Sequence, residues 1–317
     1  MVKQQPNTCH YVVIPGLSGS FSAPDVPHLF RQRSNFRYLT GISDPNAGLL
    51  LSVETPGFRV KSTVFYEKTN EDIRIWEGKR LDSQSAIDIS AADDAKPIDH
   101  FASMLTNLGR SKTSFQVWFD DYNIGIGMPP IPSQIREIPP AGLGNVRSIS
   151  SHIHRLRVVK SSNELKAIRH ACRAAANAMV TTMQYTSQAV AEFSFESVFE
   201  HSVKTRYGCR RLSFPPVVAA GDNATALHYL TNESLLQRGQ LVLMDAGCEY
   251  HGYCSDMCRV WPVGGTFSGP QRSLYEALVS VHKQCLNMIK PGISLDHVYT
   301  EMLGLIGSVV KELGIIK

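Results

Sequence analysis

Residues 241–259 read Leu241-Val-Leu-Met-Asp245-Ala-Gly-Cys-Glu-Tyr-His-Gly-Tyr-Cys-Ser-Asp256-Met-Cys-Arg259. Two apolar strands flank a polar turn at Glu249–Gly252, so the stretch predicts a β-hairpin. A loop centred between Tyr250 and His251 sets Asp245 opposite Asp256, Leu243 opposite Cys258 and Leu241 opposite Val260. Directly opposed residues share a face with Cβ atoms ~4.5–5.5 Å apart, so two carboxylates there repel one another and either shift their pKa values or take up a cation. A divalent metal bridged by both would resolve the conflict, and two metals ~3.5–4 Å apart would activate a shared water for hydrolysis. The spacing equally suits two acids on a solvated hairpin. A zinc site from Cys248, Cys254, Cys258 and His251 is disfavoured, because their spacing lacks the two Cys-x2–4-Cys pairs of such sites.

Around this hairpin the second half of the chain reads helix, helix, strands, helix, helix. Ser161 to Glu164 form a capping box, followed by Leu165, Ile168, Cys172, Ala175 and Met179 at helical spacing. A weaker helical stretch covers roughly 191–206, and strand signals follow at Leu212–Ala219, Leu241–Ala246 and Tyr253–Val263. Ser268 with Gln271 caps a helix lined by Leu274, Leu278, Val281, Cys285 and Met288. A last helix carries Leu295, Val298, Met302, Leu305, Val309 and Leu313 before Gly314. The order suggests a helix pair plus hairpin, repeated, with the second hairpin missing. The apolar stripes of the last two helices would then lack their natural cover.

The first half is mixed α/β. Short strands are predicted at Tyr11–Ile14, Gly48–Val53, Ser62–Phe65 and Phe115–Phe119, with a proline-rich loop at Pro129–Pro140. The composition changes near residues 148–160, which divides the chain into domains 1–150 and 151–317.

Bulk properties exclude several classes. The 317 residues are 43% hydrophobic and 19% charged with a net charge of +4, enough for one large or two ordinary domains with real cores. The densest basic cluster, His152–Lys160, is short and interleaved with Leu156, Val158 and Val159, so nucleic acid is not an expected partner. No apolar run reaches the ~18 residues of a membrane span. Seven scattered cysteines disfavour a secreted disulfide framework. Met1–Pro6 is polar, without a signal or presequence pattern, which suits a cytosolic protein or one whose targeting segment is absent from this version of the chain.

Met244 to Val263, spanning Asp245 and Asp256, closely resembles the first metal-ligand motif of the aminopeptidase P family of M24 metallopeptidases. Phe214-Pro-Pro-Val-Val-Ala-Ala-Gly221-Asp-Asn-Ala-Thr-Ala-Leu-His228-Tyr229 resembles that family's histidine motif. Arg157 to Glu164 resembles the entry to its catalytic domain, and Asn35-Phe36-Arg-Tyr38-Leu-Thr-Gly41 its N-terminal domain. The resemblance spans roughly residues 10–317 and leans toward the mitochondrial Xaa-Pro aminopeptidase 3 group. It implies an α/β (α+β) chain with a creatinase-like N-terminal domain and a pita-bread catalytic domain. It also implies two Mn²⁺ ions, a proline-containing peptide substrate, release of the N-terminal residue before proline, a mitochondrial location and possible homo-oligomers. Asp245 and Asp256 match the two aspartate ligands. His228 matches a histidine that contacts substrate and helps move protons, although a hydrogen-bonded loop histidine would look the same.

Three departures accompany the resemblance. The family's five ligands include a further His and two Glu, which nothing here matches; His282 and His297 sit in helical patterns, and Glu276 and Glu301 read as surface charges. The family's usual Thr two places after the second Asp is Cys258, a weaker hydrogen-bond partner. The first domain begins abruptly at a strand. The chain therefore reads as clipped at both ends, with an incomplete pita-bread domain and no substantial activity of its own. A non-catalytic binding or regulatory protein and a prolidase-type dipeptidase are the competing functions.

Overall fold

The computed structural model describes residues 8–54, 59–101, 103–104, 115–120 and 146–316; the proline-rich loop expected at Pro129–Pro140 lies outside them. The chain divides into two compact units, Met1–Lys160 and Ser161–Lys317.

The first unit is built on a mixed six-stranded sheet. In chain order its elements are β1 (Cys9–Pro15), β2 (Phe21–Ala23), β3 (Val26–Pro27), α1 (Ser34–Thr40), β4 (Gly48–Glu54), β5 (Arg59–Tyr66), α2 (Glu71–Trp76), α3 (Ser83–Ser90), β6 (Asp94–Pro97), β7 (Phe115–Phe119), β8 (Val146–Ser148) and α4 (Ser150–Val158). The strand order is β6-β5-β4-β1-β7-β8, with β2 and β3 forming a separate small ribbon. Alternate residues of each strand serve opposite faces, as the pleat requires. Ile14, Leu49, Val64 and Trp118 pack with Phe36, Ala86 and Ile153 from the helices. Val13, Leu50, Phe65 and Val117 enter the other core with Phe101. The helix α4 belongs to this unit because Ile149 and Ile153 are buried in its core.

The Asn35–Gly41 motif has a physical role here. Asn35 Nδ2 donates to both oxygens of buried Asp120, at 3.1 and 3.2 Å, and its own Oδ1 accepts from Arg157 at 2.5 Å. Ser150 Oγ donates to the same carboxylate at 2.9 Å. Gly41, at φ +73°, closes α1 with its N–H on Arg37 O.

The second unit opens with α5 (Ser162–Gln184), capped by the Ser161–Glu164 box, and α6 (Glu192–Tyr207). Strands β9 (Arg211–Leu212), β10 (Val217–Ala220), β11 (Leu241–Ala246), β12 (Cys248–Tyr250), β13 (Tyr253–Cys254) and β14 (Met257–Pro262) follow, then α7 (Gly269–Met288) and α8 (Leu295–Glu312). They form two antiparallel three-stranded sheets, β10-β11-β14 and β13-β12-β9. The buried face of α5 is Ala171, Ala174, Ala175, Ala178 and Met179, whereas Cys172 and Leu165, expected on the stripe, are exposed. Alanine wins because it leaves room for the bulky Phe195 and Phe199 of α6, which share its core. The helices α7 and α8 are poorly covered: Val281 is the one buried side chain among their described residues. No helix among the described residues is long and apolar enough to cross a membrane.

Candidate metal centre

The hairpin forms, but with a different register from the expected one. His251 and Gly252 both have positive φ, +50° and +89°, the backbone of a two-residue primed turn whose twist suits a hairpin. The centre therefore falls between His251 and Gly252. Tyr250 pairs with Tyr253, Glu249 with Cys254, and further along Asp245 with Cys258, Leu243 with Val260 and Leu241 with Pro262. Asp256 is thus not directly opposite Asp245 but one diagonal step away on the same side. It lies just before β14, in a break where the strands nearly touch. A Cβ at Gly247 would stand 1.9 Å from Ser255 O, and Ser255 Oγ accepts from Cys248 N at 3.0 Å.

Alternation along β11 fixes where Asp245 points. Val242, Met244 and Ala246 are buried in the core, and Leu241, Leu243 and Asp245 take the other, half-buried side. Asp245 sits between Val217 of β10, which is buried, and Cys258 of β14. Its Oδ1 is buried with no hydrogen-bond partner. Its pKa is raised by burial first, then by the charge and close contact of Asp256, and the nearby His228 opposes the rise. Asp256 therefore touches Asp245, and His228 is within electrostatic reach of it. Asp256 and His228 are exposed. The Cys258 thiol is pushed up by desolvation first and by the Asp245 carboxylate next.

The residues present fit a divalent cation. A buried carboxylate oxygen without a donor and a second carboxylate against it are an unpaired charge problem that a hard cation solves with oxygen ligands. No group of three or more His, Cys, Asp or Glu able to hold a metal occurs among the described residues. His282 and His297 lie exposed on α7 and α8. The zinc alternative fails on geometry: Cys248 is buried with its Sγ on Ala171 O at 3.4 Å, while Cys254 and Cys258 are exposed.

Sequence reasoning missed Glu192. This fully buried acid at the start of α6 accepts hydrogen bonds from the segment that carries His228. Its partners lie 28 to 42 positions away, so no local pattern marks it.

Residues 2–118 match the aminopeptidase P N-terminal domain, and residues 166–314 match metallopeptidase family M24. Xaa-Pro aminopeptidase 3 of Mus musculus is 34% identical over 322 residues, covering 98% of this chain and 62% of the relative. Intermediate cleaving peptidase 55, mitochondrial, of Arabidopsis thaliana is 34% identical over 292 residues, covering 92% and 57%. The chain thus spans less than two thirds of the length of these curated relatives. Among solved structures, aminopeptidase P from E. coli with the inhibitor Pro-Leu superposes with a TM-score of 0.87 at 27% identity, covering 97% of this chain and 70% of that one. The chain belongs to metallopeptidase family M24, with an aminopeptidase P N-terminal domain ahead of its M24 domain.

Proposed function

We propose that this chain carries the two-aspartate part of a dinuclear metalloaminopeptidase site that releases an N-terminal residue preceding proline. The observation that carries the reading is the buried, donor-less Oδ1 of Asp245 beside Asp256, with His228 next to them. Asp245 and Asp256 would hold the cations, with Mn²⁺ the expected metal. Bound divalent cations would activate water for attack on the peptide carbonyl and offset the charge that develops there. His228 lies in the same open space without being a ligand. There its imidazole would contact the substrate and carry a proton toward the leaving amine. Buried Val217 of β10 stands opposite Asp245, and Leu243 shares the Asp245 side of β11. Names among the relatives support proline-containing peptides as substrates and a mitochondrial setting.

We propose further that residues 1–317 alone are inactive, since two carboxylates do not enforce a dinuclear site. The test is a chimera in which residues 1–317 are followed by the remaining part of E. coli aminopeptidase P, loaded with Mn²⁺. It should cleave Xaa-Pro-Xaa peptides in preference to Xaa-Pro dipeptides, and Asp256→Asn should abolish the activity. A folded, Mn²⁺-loaded chimera that leaves Xaa-Pro peptides intact would contradict the reading, and a preference for dipeptides would move it to a dipeptidase.

A further inference from the structure

Glu192 is a carboxyl group with no exposed surface and no cation among its hydrogen-bond partners. Four neutral donors reach it: Ala220 N at 2.8 Å and Asn223 Nδ2 at 3.0 Å on Oε1, Tyr229 OH at 2.9 Å and Ser234 N at 3.0 Å on Oε2. This is the acceptor-only pattern of a carboxylate, complete on both oxygens. Three of the four donors come from the segment between β10 and β11, the one that contains His228, and the fourth, Ala220 N, belongs to the last residue of β10. The same segment is stitched to the start of α6 by its backbone, Glu192 N on Ser234 O and Leu236 N on Val190 O, each at 3.0 Å. Buried Asn232 adds a second fastening: its Oδ1 accepts from Val218 N, and its Nδ2 donates to Glu196 and to Pro216 O.

The position of His228 follows from these contacts. It is exposed and makes no hydrogen bond of its own among the described residues, yet its chain neighbour Tyr229 donates to Glu192. Exposed Leu227 and Leu230 on either side bury little apolar surface to hold the segment in place, at 85% and 55% exposure. A buried carboxylate is costly unless its partners satisfy it, so once formed the cluster resists opening. We infer that Glu192 is a positioning residue: it anchors the 220–234 segment through Tyr229, Asn223 and two backbone N–H groups, and so holds His228 beside Asp245 and Asp256. This rests on the proposed role of His228.

The test compares wild type, Glu192→Gln and Tyr229→Phe by hydrogen exchange and by the broadening that bound Mn²⁺ causes in the His228 ring resonances. Mn²⁺ affinity is measured in parallel. Glu192→Gln presents an amide N–H₂ to groups that are themselves donors. Tyr229→Phe removes one hydroxyl at a half-buried position and carries the test alone if Glu192→Gln does not fold. In Tyr229→Phe, exchange across 222–234 should rise about tenfold, the loss of one hydrogen bond to a charged group. Strand 241–246 should exchange as in wild type. The His228 broadening should be lost although Mn²⁺ still binds. Unchanged loop exchange, or His228 broadening that persists in Tyr229→Phe, would overturn the inference. Wild-type His228 that bound Mn²⁺ leaves unbroadened would sink the role proposed for His228, while the exchange data would still decide whether Glu192 is the anchor.

Discussion

Asp245 stands directly opposite Cys258, and Asp256 is set one diagonal step from Asp245. Direct opposition would put the two Cβ atoms ~4.5–5.5 Å apart, whereas the diagonal spaces the residues ~7–8 Å apart and leaves room for a cation between the carboxylates. With oxygen–metal distances of ~2.0–2.6 Å, two carboxylates can straddle an ion at this spacing.

The cation-free protein should show the strain of that arrangement. The raised pKa of Asp245 means that the native state holds its proton more tightly than the unfolded state does. Its contribution to stability is therefore present below the unfolded pKa of ~3.9 and lost as pH rises through the native value. Asp245→Asn should be more stable than wild type at neutral pH by about 0.2–1 kcal/mol, with the gap closing below pH ~4. Urea midpoints from pH 3 to 8 in the presence of a chelator check this; a variant less stable at neutral pH would contradict it.

Buried thiols should set an alkaline limit. Burial first, and contact with Cys248 next, push Cys209 up to about 12. The unfolded thiol ionises near ~8.5, so the stability it contributes is lost as pH climbs from there toward that native value. Cys209→Ala should flatten the fall in urea midpoint above pH ~9. In native wild type a thiol reagent should label exposed Cys172 and Cys254, and reach Cys209 and Cys248 only on unfolding.

Much of this fold could be read from the sequence where the signal is local. Strand Leu241–Ala246 and the caps at Ser161 and Ser268 appear as expected, because alternation and capping act over a few residues. The hairpin register was not legible, since moving the turn centre by one position, onto His251 and Gly252, moves every pairing by two. The alanine face of α5 was hidden because small residues look neutral until the large partners Phe195 and Phe199 are known. Glu192 looked like an ordinary first-turn acid, since its four donors converge through the tertiary fold.

Gly247 should tolerate no side chain. A Cβ would stand 1.9 Å from Ser255 O and 2.7 Å from its carbonyl carbon, and these backbone atoms cannot swing aside. Gly247→Ala should cost about 3 kcal/mol, the upper end of overpacking, and displace Asp256, the next residue after Ser255. Equilibrium unfolding together with Mn²⁺ affinity measures both; a variant within ~0.5 kcal/mol of wild type, the usual scale for innocuous surface changes, would show that the approach is looser than described.

The helices α7 and α8 should make residues 1–317 self-associate. Leu274, Leu278, Leu286 and Leu303 are 43 to 53% exposed on them, and apolar surface of that kind is normally covered. Leu278→Glu combined with Leu303→Lys should lower the apparent mass by sedimentation and reduce dye binding, with the melting temperature little changed. A monomeric wild type that binds no dye would contradict this.

The central claim is that Asp245 and Asp256 share a cation while His228 stands beside it without coordinating it. Mn²⁺ binding followed by electron paramagnetic resonance on wild type, Asp245→Asn, Asp256→Asn and His228→Ala tests it most directly. The account predicts that each aspartate variant loses the bound Mn²⁺ and that His228→Ala keeps it at wild-type stoichiometry. Retention by Asp256→Asn, or stoichiometric loss in His228→Ala, would contradict it.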